Sequence, residues 1–219
     1  DSHSYAGLRN LGATCYMNTL LQSLYMNYHF RHSIYAYEQS NELSNGKKNM
    51  ITMLQLLFAR LQNGLEACID PQNIATALSL QSDEQQDVHE FNNLFLTYIQ
   101  DLLKQSSVVG LHTLMDDCFG VRMNYVTTCN HCHTRSSRSE HHYDITLVIK
   151  GRSTLKECWQ YFFQPEYLQG SNQYLCSTCK SKQNATRSIE IDKLPPLLNV
   201  QLARFDYDQQ TFHKIKLAD

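Results

Sequence analysis

Two Cys-x-x-Cys units narrow the folds open to this chain more than any other feature. They are Cys129-Asn130-His131-Cys132 and Cys176-Ser177-Thr178-Cys179, with residues 133–175 between them. Each puts two thiolates on a tight turn, and a tetrahedral zinc ion needs four such soft ligands at about 2.3 Å. The intervening segment reads as strand, helix and strand, longer than a compact zinc ribbon holds, and it has to return the second turn to the first. A structural Zn2+ held by Cys129, Cys132, Cys176 and Cys179 is the expectation, with two metal-free turns as the alternative. His131 and His133 flank the first turn, but four cysteines already fill a tetrahedral shell.

The remaining four of the eight cysteines (Cys15, Cys68, Cys118, Cys158) are scattered through apolar, periodic contexts. That layout speaks for a reducing, intracellular setting (nucleus and/or cytoplasm) and against a secreted disulfide framework. The net charge of -2 gives no reason to expect nucleic acid or an anionic membrane as a partner. No apolar run approaches the length of a membrane span, and the first residues carry no secretory hydrophobic core.

The first half reads as helices. Met17, Leu20, Leu21 and Leu24 share one helical face, and so do Met50, Met53, Leu54, Leu57 and Leu61 beyond the polar break "SNELSNGKKN". Asp70-Pro71 is a helix start, leading into a short helix over Ile74–Leu78. Ser82 with Gln85 predicts a capping box for a long helix whose face carries Val88, Phe91, Phe95, Tyr98 and Leu102. From about residue 118 the period becomes two. "FGVRMNYVTTC", "HYDITLVIK", "QYLC", "ATRSIEID" and "LLNVQLARFDY" read as strands, with a helix starting at Ser153 and Thr154 and carrying Leu155, Cys158 and Phe162. "FDYDQQTFHKIKL" reads as a hairpin. The expectation is an α+β fold, with a helical lobe over 1–117 and a mostly antiparallel β lobe over 118–219.

One helix start carries chemistry. In "GLRNLGATCYMNTLLQ" a glycine-bearing loop delivers Cys15 to a first helical turn, with Thr14 as N-cap. Only the thiolate is a strong nucleophile, and backbone N–H groups with the macrodipole favour an anion there. Gly12 permits close approach of backbone to a substrate carbonyl, and the Asn10 amide is placed to donate to an oxyanion. A small buried residue that happens to start a helix is the competing reading of Cys15, and a simple turn residue that of Asn10.

This stretch resembles the Cys box of the ubiquitin-specific proteases, papain-like thiol isopeptidases. "QQDVHEF" resembles that family's Q-x-D-[AV]-Q-E-[FL] helix, with His89 where Gln is usual. The paired knuckles resemble its zinc-bearing fingers, and "LNVQLARFDYD" its strand leading back to the palm. The resemblance implies a thumb–palm–fingers architecture. It also implies a deubiquitinase whose partners are ubiquitin and ubiquitinated proteins, with Cys15 as nucleophile and Asn10 at the oxyanion. Gln85, Asp87 and Glu90 then hold ubiquitin's C-terminal tail, whose arginines pair well with carboxylates. For these three residues a solvated, capped helix face remains the alternative.

The same resemblance puts the general base, a histidine in a downstream box with its orienting Asp or Asn, beyond Asp219, together with the end of the palm. None of the ten histidines stands in such a context. A piece of a longer domain is the expectation, with an interrupted domain or an inactive relative as alternatives. The 219 residues by themselves are expected not to catalyse efficiently. A ubiquitin-binding module without catalysis, or a zinc scaffold unrelated to ubiquitin, are the rival functions.

Overall fold

Helices fill most of the first half of the chain and strands most of the second, in a computed structural model that describes residues 6–38, 49–80, 87–208 and 213–217. The fold is α+β, and the chain divides into two units, Asp1–Cys118 and Phe119–Asp219. The expected break "SNELSNGKKN" and the capping residues Ser82 and Gln85 lie wholly or mostly outside the described residues. No helix among the described residues is long and apolar enough to cross a membrane.

In the first unit a short strand β1 (Gly7–Leu8) leads into helices α1 (Cys15–Met26), α2 (Tyr28–Tyr35) and α3 (Met50–Asn63). These are followed by β2 (Cys68–Ile69), α4 (Gln72–Ala77), α5 (Val88–Leu103) and α6 (Leu114–Phe119). Short polar side chains start several of these helices by accepting a first-turn N–H. Asn27 takes that of Phe30, Asn49 that of Thr52, and Asp70 that of Gln72. A helix does open after Asp70 and Pro71, but Pro71 rather than the expected Asp70 is its cap and it runs over Gln72–Ala77, not Ile74–Leu78. The α1 face buries Tyr16, Met17, Leu21 and Leu24, and α3 buries Met50, Ile51, Leu54, Leu57, Phe58 and Leu61.

Two expectations for α5 need correction. The described helix begins at Val88 with Asp87 as its cap, Oδ1 accepting from the N–H groups of His89 (2.9 Å) and Glu90 (3.3 Å). Its buried face is Phe95, Leu96, Ile99 and Leu103, while Val88 and Tyr98 are exposed. The apolar positions of this helix cover more than one stripe, so periodicity alone admits both phases, and packing in the helical unit selects one.

The second unit is organised by β3 (Val121–Cys129), the inner strand between β4 (Arg135–His142) and β9 (Ala185–Lys193), both antiparallel to it. β5 (Ile145–Val148), α7 (Leu155–Phe162) and β6 (Glu166–Leu168) lie between β4 and β9 in sequence, and β6 joins the far edge of β9. A small hairpin, β7 (Tyr174–Cys176) with β8 (Ser181–Gln183), precedes β9, and β10 (Val200–Ala203), β11 (Phe205–Asp208) and β12 (His213–Lys216) follow it. Thr154 and Glu157 form a capping box at the start of α7, where the sequence places a helix start. Val121, Met123, Ile145, Leu147 and Cys158 make a buried cluster, joined by Tyr125, Trp159, Phe162, Ile189 and Leu202.

Two strand expectations change. "HYDITLVIK" is not one strand, since β4 ends at His142 and β5 starts at Ile145. "LLNVQLARFDY" breaks at Arg204, whose N–H turns back to the Leu202 carbonyl (2.7 Å), leaving β10 and β11 as separate strands. β10 pairs with β5 in parallel register, Val200 opposite Ile145, while the other described strand pairs of this unit are antiparallel, in keeping with the mostly antiparallel lobe expected. The terminal hairpin forms as β11 with β12.

Candidate functional site

Cys15 is the first residue of α1, and its thiol is free and exposed. The loop before it is held at both ends. On the entry side, β1 pairs in parallel with β2, and the Arg9 N–H donates to the Ile69 carbonyl (2.8 Å). The Arg9 guanidinium meets Asp70 at 3.2 Å, and Asn18 on α1 reaches back to the Arg9 carbonyl at 3.0 Å. Between these anchors the chain turns through Gly12 at φ 123°, a region that a Cβ makes costly.

On the exit side stands Thr14, only 1% exposed. It holds the N-cap position that the sequence assigns it, but its hydroxyl makes no capping bond to α1. Thr14 Oγ1 instead accepts from the Leu11 N–H (3.0 Å) and donates to Asn10 Oδ1 (3.1 Å), which also accepts from the Thr14 N–H (3.3 Å). The backbone N–H can only donate, so it fixes which end of the Asn10 amide is oxygen and leaves the NH2 as the donating end. The Asn10 amide is thereby tied, through the buried Thr14, to the start of the helix that carries Cys15. The sequence marks Thr14 as a cap but not its bonds to Asn10 and Leu11, because a buried polar contact leaves no mark in hydrophobic periodicity.

The helix carrying Asp87 and Glu90 packs on the same helix as the thiol. Phe91 of α5 meets Tyr16 of α1 edge-on, with ring centroids 4.8 Å apart. Asp87 spends one carboxylate oxygen on capping α5, Glu90 lies in that helix's first turn, and Gln85 is outside the described residues. His89 faces Asn93 at 2.9 Å. Among the other thiols Cys68 is exposed, whereas Cys118 is buried, and burial with the neighbouring Asp117 pushes it up to about 11.

The four knuckle cysteines do converge. Their sulfurs all lie within 4.8 Å of one another, with Cys129 and Cys179 4.0 Å apart and Cys132 and Cys176 3.6 Å apart. Sulfurs placed tetrahedrally on a metal–sulfur bond of about 2.3 Å would stand about 3.8 Å apart, so the set fits such an ion. The two turns repeat one geometry. His133 (φ 58°) and Lys180 (φ 56°) are both left-handed, and their N–H groups donate to the carbonyls of Cys129 and Cys176, each at 2.9 Å. Crowded thiols cannot all ionise without a cation. The Thr134 hydroxyl and backbone hold Cys132 down at about 6, whereas hydrogen bonding to Cys132, desolvation and the other sulfurs push Cys179 up to about 12.

The profile of the ubiquitin carboxyl-terminal hydrolase family matches residues 6–219. The chain is 40% identical to ubiquitin carboxyl-terminal hydrolase 48 of Danio rerio, over 99% of its own length and 21% of that protein. It is 38% identical to ubiquitin carboxyl-terminal hydrolase 26 of Oryza sativa subsp. japonica, over 97% of its length and 20% of the relative's. Against ubiquitin carboxyl-terminal hydrolase 47 of Drosophila melanogaster the identity is 34%, over 98% and 14%. The chain thus spans about a fifth or less of the length of the relatives it matches.

Proposed function

The chain belongs to the ubiquitin carboxyl-terminal hydrolase family, and from that premise we propose that it acts as a deubiquitinating cysteine peptidase on ubiquitin and ubiquitinated proteins, inside the cell, in the nucleus and/or cytoplasm. The observation that carries the reading is an exposed Cys15 at the first position of α1, directly after the Thr14 that orients the Asn10 amide. In the proposed reaction the Cys15 sulfur attacks the carbonyl carbon of ubiquitin's terminal glycine. The carbonyl oxygen becomes an oxyanion that takes hydrogen bonds from the Asn10 NH2 and from backbone N–H groups of the loop. A histidine acting as general base takes the thiol proton and passes it to the lysine amine as that amine leaves. Water then hydrolyses the thioester, releasing ubiquitin and restoring the thiol.

Gln85, Asp87 and Glu90 hold the extended ubiquitin tail, the two carboxylates facing its arginines. The helical unit corresponds to the thumb, and the strands around β3 to the fingers and the start of the palm. Cys129, Cys132, Cys176 and Cys179 hold a structural zinc ion, which when bound cross-links the two turns and takes no part in the chemistry.

Ubiquitin carrying a C-terminal electrophile tests the reading. A covalent adduct mapped to Cys15 and lost in Cys15→Ser is the expected outcome. An adduct at the exposed Cys68, or undiminished capture by Cys15→Ser, refutes it, and ubiquitin binding with no capture shows a binding module instead.

A further inference from the structure

Within each knuckle the two cysteines differ in how far they are shielded. Cys129 and Cys176 are buried, whereas Cys132 and Cys179 are only half-buried. Each half-buried sulfur has a polar side chain against it. Cys132 Sγ lies 3.2 Å from the Thr134 hydroxyl, and Cys179 Sγ lies 3.6 Å from Nδ1 of His131. The second contact crosses between the turns, because His131 belongs to the first knuckle and Cys179 to the second. A hydroxyl pair, Thr134 and Thr178 at 3.1 Å, spans the same gap. Among the described residues the mutually close group comprises the four thiols alone, so the imidazole stands beside one ligand rather than among them.

Four thiolates on a divalent ion leave a net charge of about -2, and a thiolate facing solvent keeps lone pairs open to electrophiles. A hydrogen bond to such a sulfur draws off part of that density. Partners of this kind steady metal ligands, and their loss costs metal affinity. A metal-bound thiolate has no proton to give, so the ring nitrogen facing it must be the donor, which places the proton on Nδ1. We propose that His131 donates its Nδ1–H to the metal-bound Cys179 thiolate and so masks the more exposed side of the metal centre against electrophiles and metal loss. The proposal rests on the metal reading above and makes His131 a positioning residue, not a fifth ligand.

The test uses the full chain loaded with Co2+ for spectroscopy and with Zn2+ for reactivity, as wild type, His131→Ala and His131→Asn. Wild type is expected to show the absorption of four thiolates on tetrahedral cobalt. His131→Ala should keep that pattern but move the sulfur-to-cobalt charge-transfer band to longer wavelength. It should also raise iodoacetamide labelling of Cys179, mapped by mass spectrometry, and the transfer of zinc to a chelator, each by about tenfold. His131→Asn sets an amide N–H near the place of the ring N–H and should recover most of both. Unchanged band and labelling in His131→Ala overturn the proposal, as does a thiolate pattern that shows His131 to be a ligand. A wild-type chain that takes up no cobalt on its thiols overturns the metal reading itself, a distinct result.

Discussion

The Thr14 hydroxyl offers the most direct trial of how the loop before Cys15 is held. Thr14→Val keeps the side chain's shape and removes only the hydroxyl. The Leu11 N–H then loses its acceptor at 3.0 Å, and Asn10 Oδ1 keeps only the backbone N–H at 3.3 Å. One net hydrogen bond is worth about 1 kcal/mol and a stranded, part-buried N–H about 1–3 kcal/mol, so the loss should be about 2 kcal/mol once the loop relaxes. Thr14→Ser keeps both bonds and deletes a buried methyl, at a cost of about 1 kcal/mol. Urea unfolding followed by far-ultraviolet circular dichroism should therefore rank wild type above Ser and Ser above Val. Capture of the ubiquitin probe at Cys15 should slow in Val alone, because only there does the Asn10 amide lose an anchor. If Val matches wild type, or Ser proves worse than Val, methyl packing holds the loop and the hydroxyl network is incidental.

Asp87 separates capping from recognition. Asp87→Ala should destabilise α5 by about 1 kcal/mol, whereas Asp87→Asn, an equally good cap, should stay within about 0.5 kcal/mol of wild type. Asn should nonetheless weaken ubiquitin binding in a titration, and unchanged affinity would remove the carboxylate from tail recognition. Cys118 predicts an alkaline limit. Its folded value is raised from 9.0 to about 11, so the neutral thiol is favoured in the fold. Its contribution is complete below pH 9.0 and is lost as pH rises toward about 11. Urea midpoints between neutral pH and about pH 10.5 should fall less steeply in Cys118→Ala, and parallel slopes would contradict this.

What could be read from the residues depended on whether the controlling interaction was local. The helix start at Asp70-Pro71, the start of α7 at Ser153 and Thr154 and both knuckles are written within a few neighbouring residues, and each forms. β4 had no such mark. Its "RSSRSEHH" is polar throughout and largely exposed, and it is a strand because the first knuckle folds it back along β3. The β5–β10 pairing joins Ile145 to Val200 across an intervening helix and sheet, a distance over which no sequence period carries information. At the candidate site, Cys15, Asn10 and the four thiols were legible as residue types in a motif order. The hub was not, since Thr14 acts by burial and His131 by reaching a sulfur in another turn.

β3 carries an implication for how the second unit responds to stress. One end, Val121 and Met123, is locked in apolar packing, and the other, Cys129, ends in the thiol cluster. At about 3.4 Å per residue those ends stand about 27 Å apart, so the strand is anchored by two agents of different kind. Denaturants that weaken apolar contacts attack the foot, and with the proposed metal bound, chelators would attack the tip. Stripping a metal from the tip would therefore fray the hairpins inward from Cys129 and leave the foot as a surviving remnant. Amide protection along this one strand would then form a gradient, which makes β3 a built-in gauge of metal occupancy.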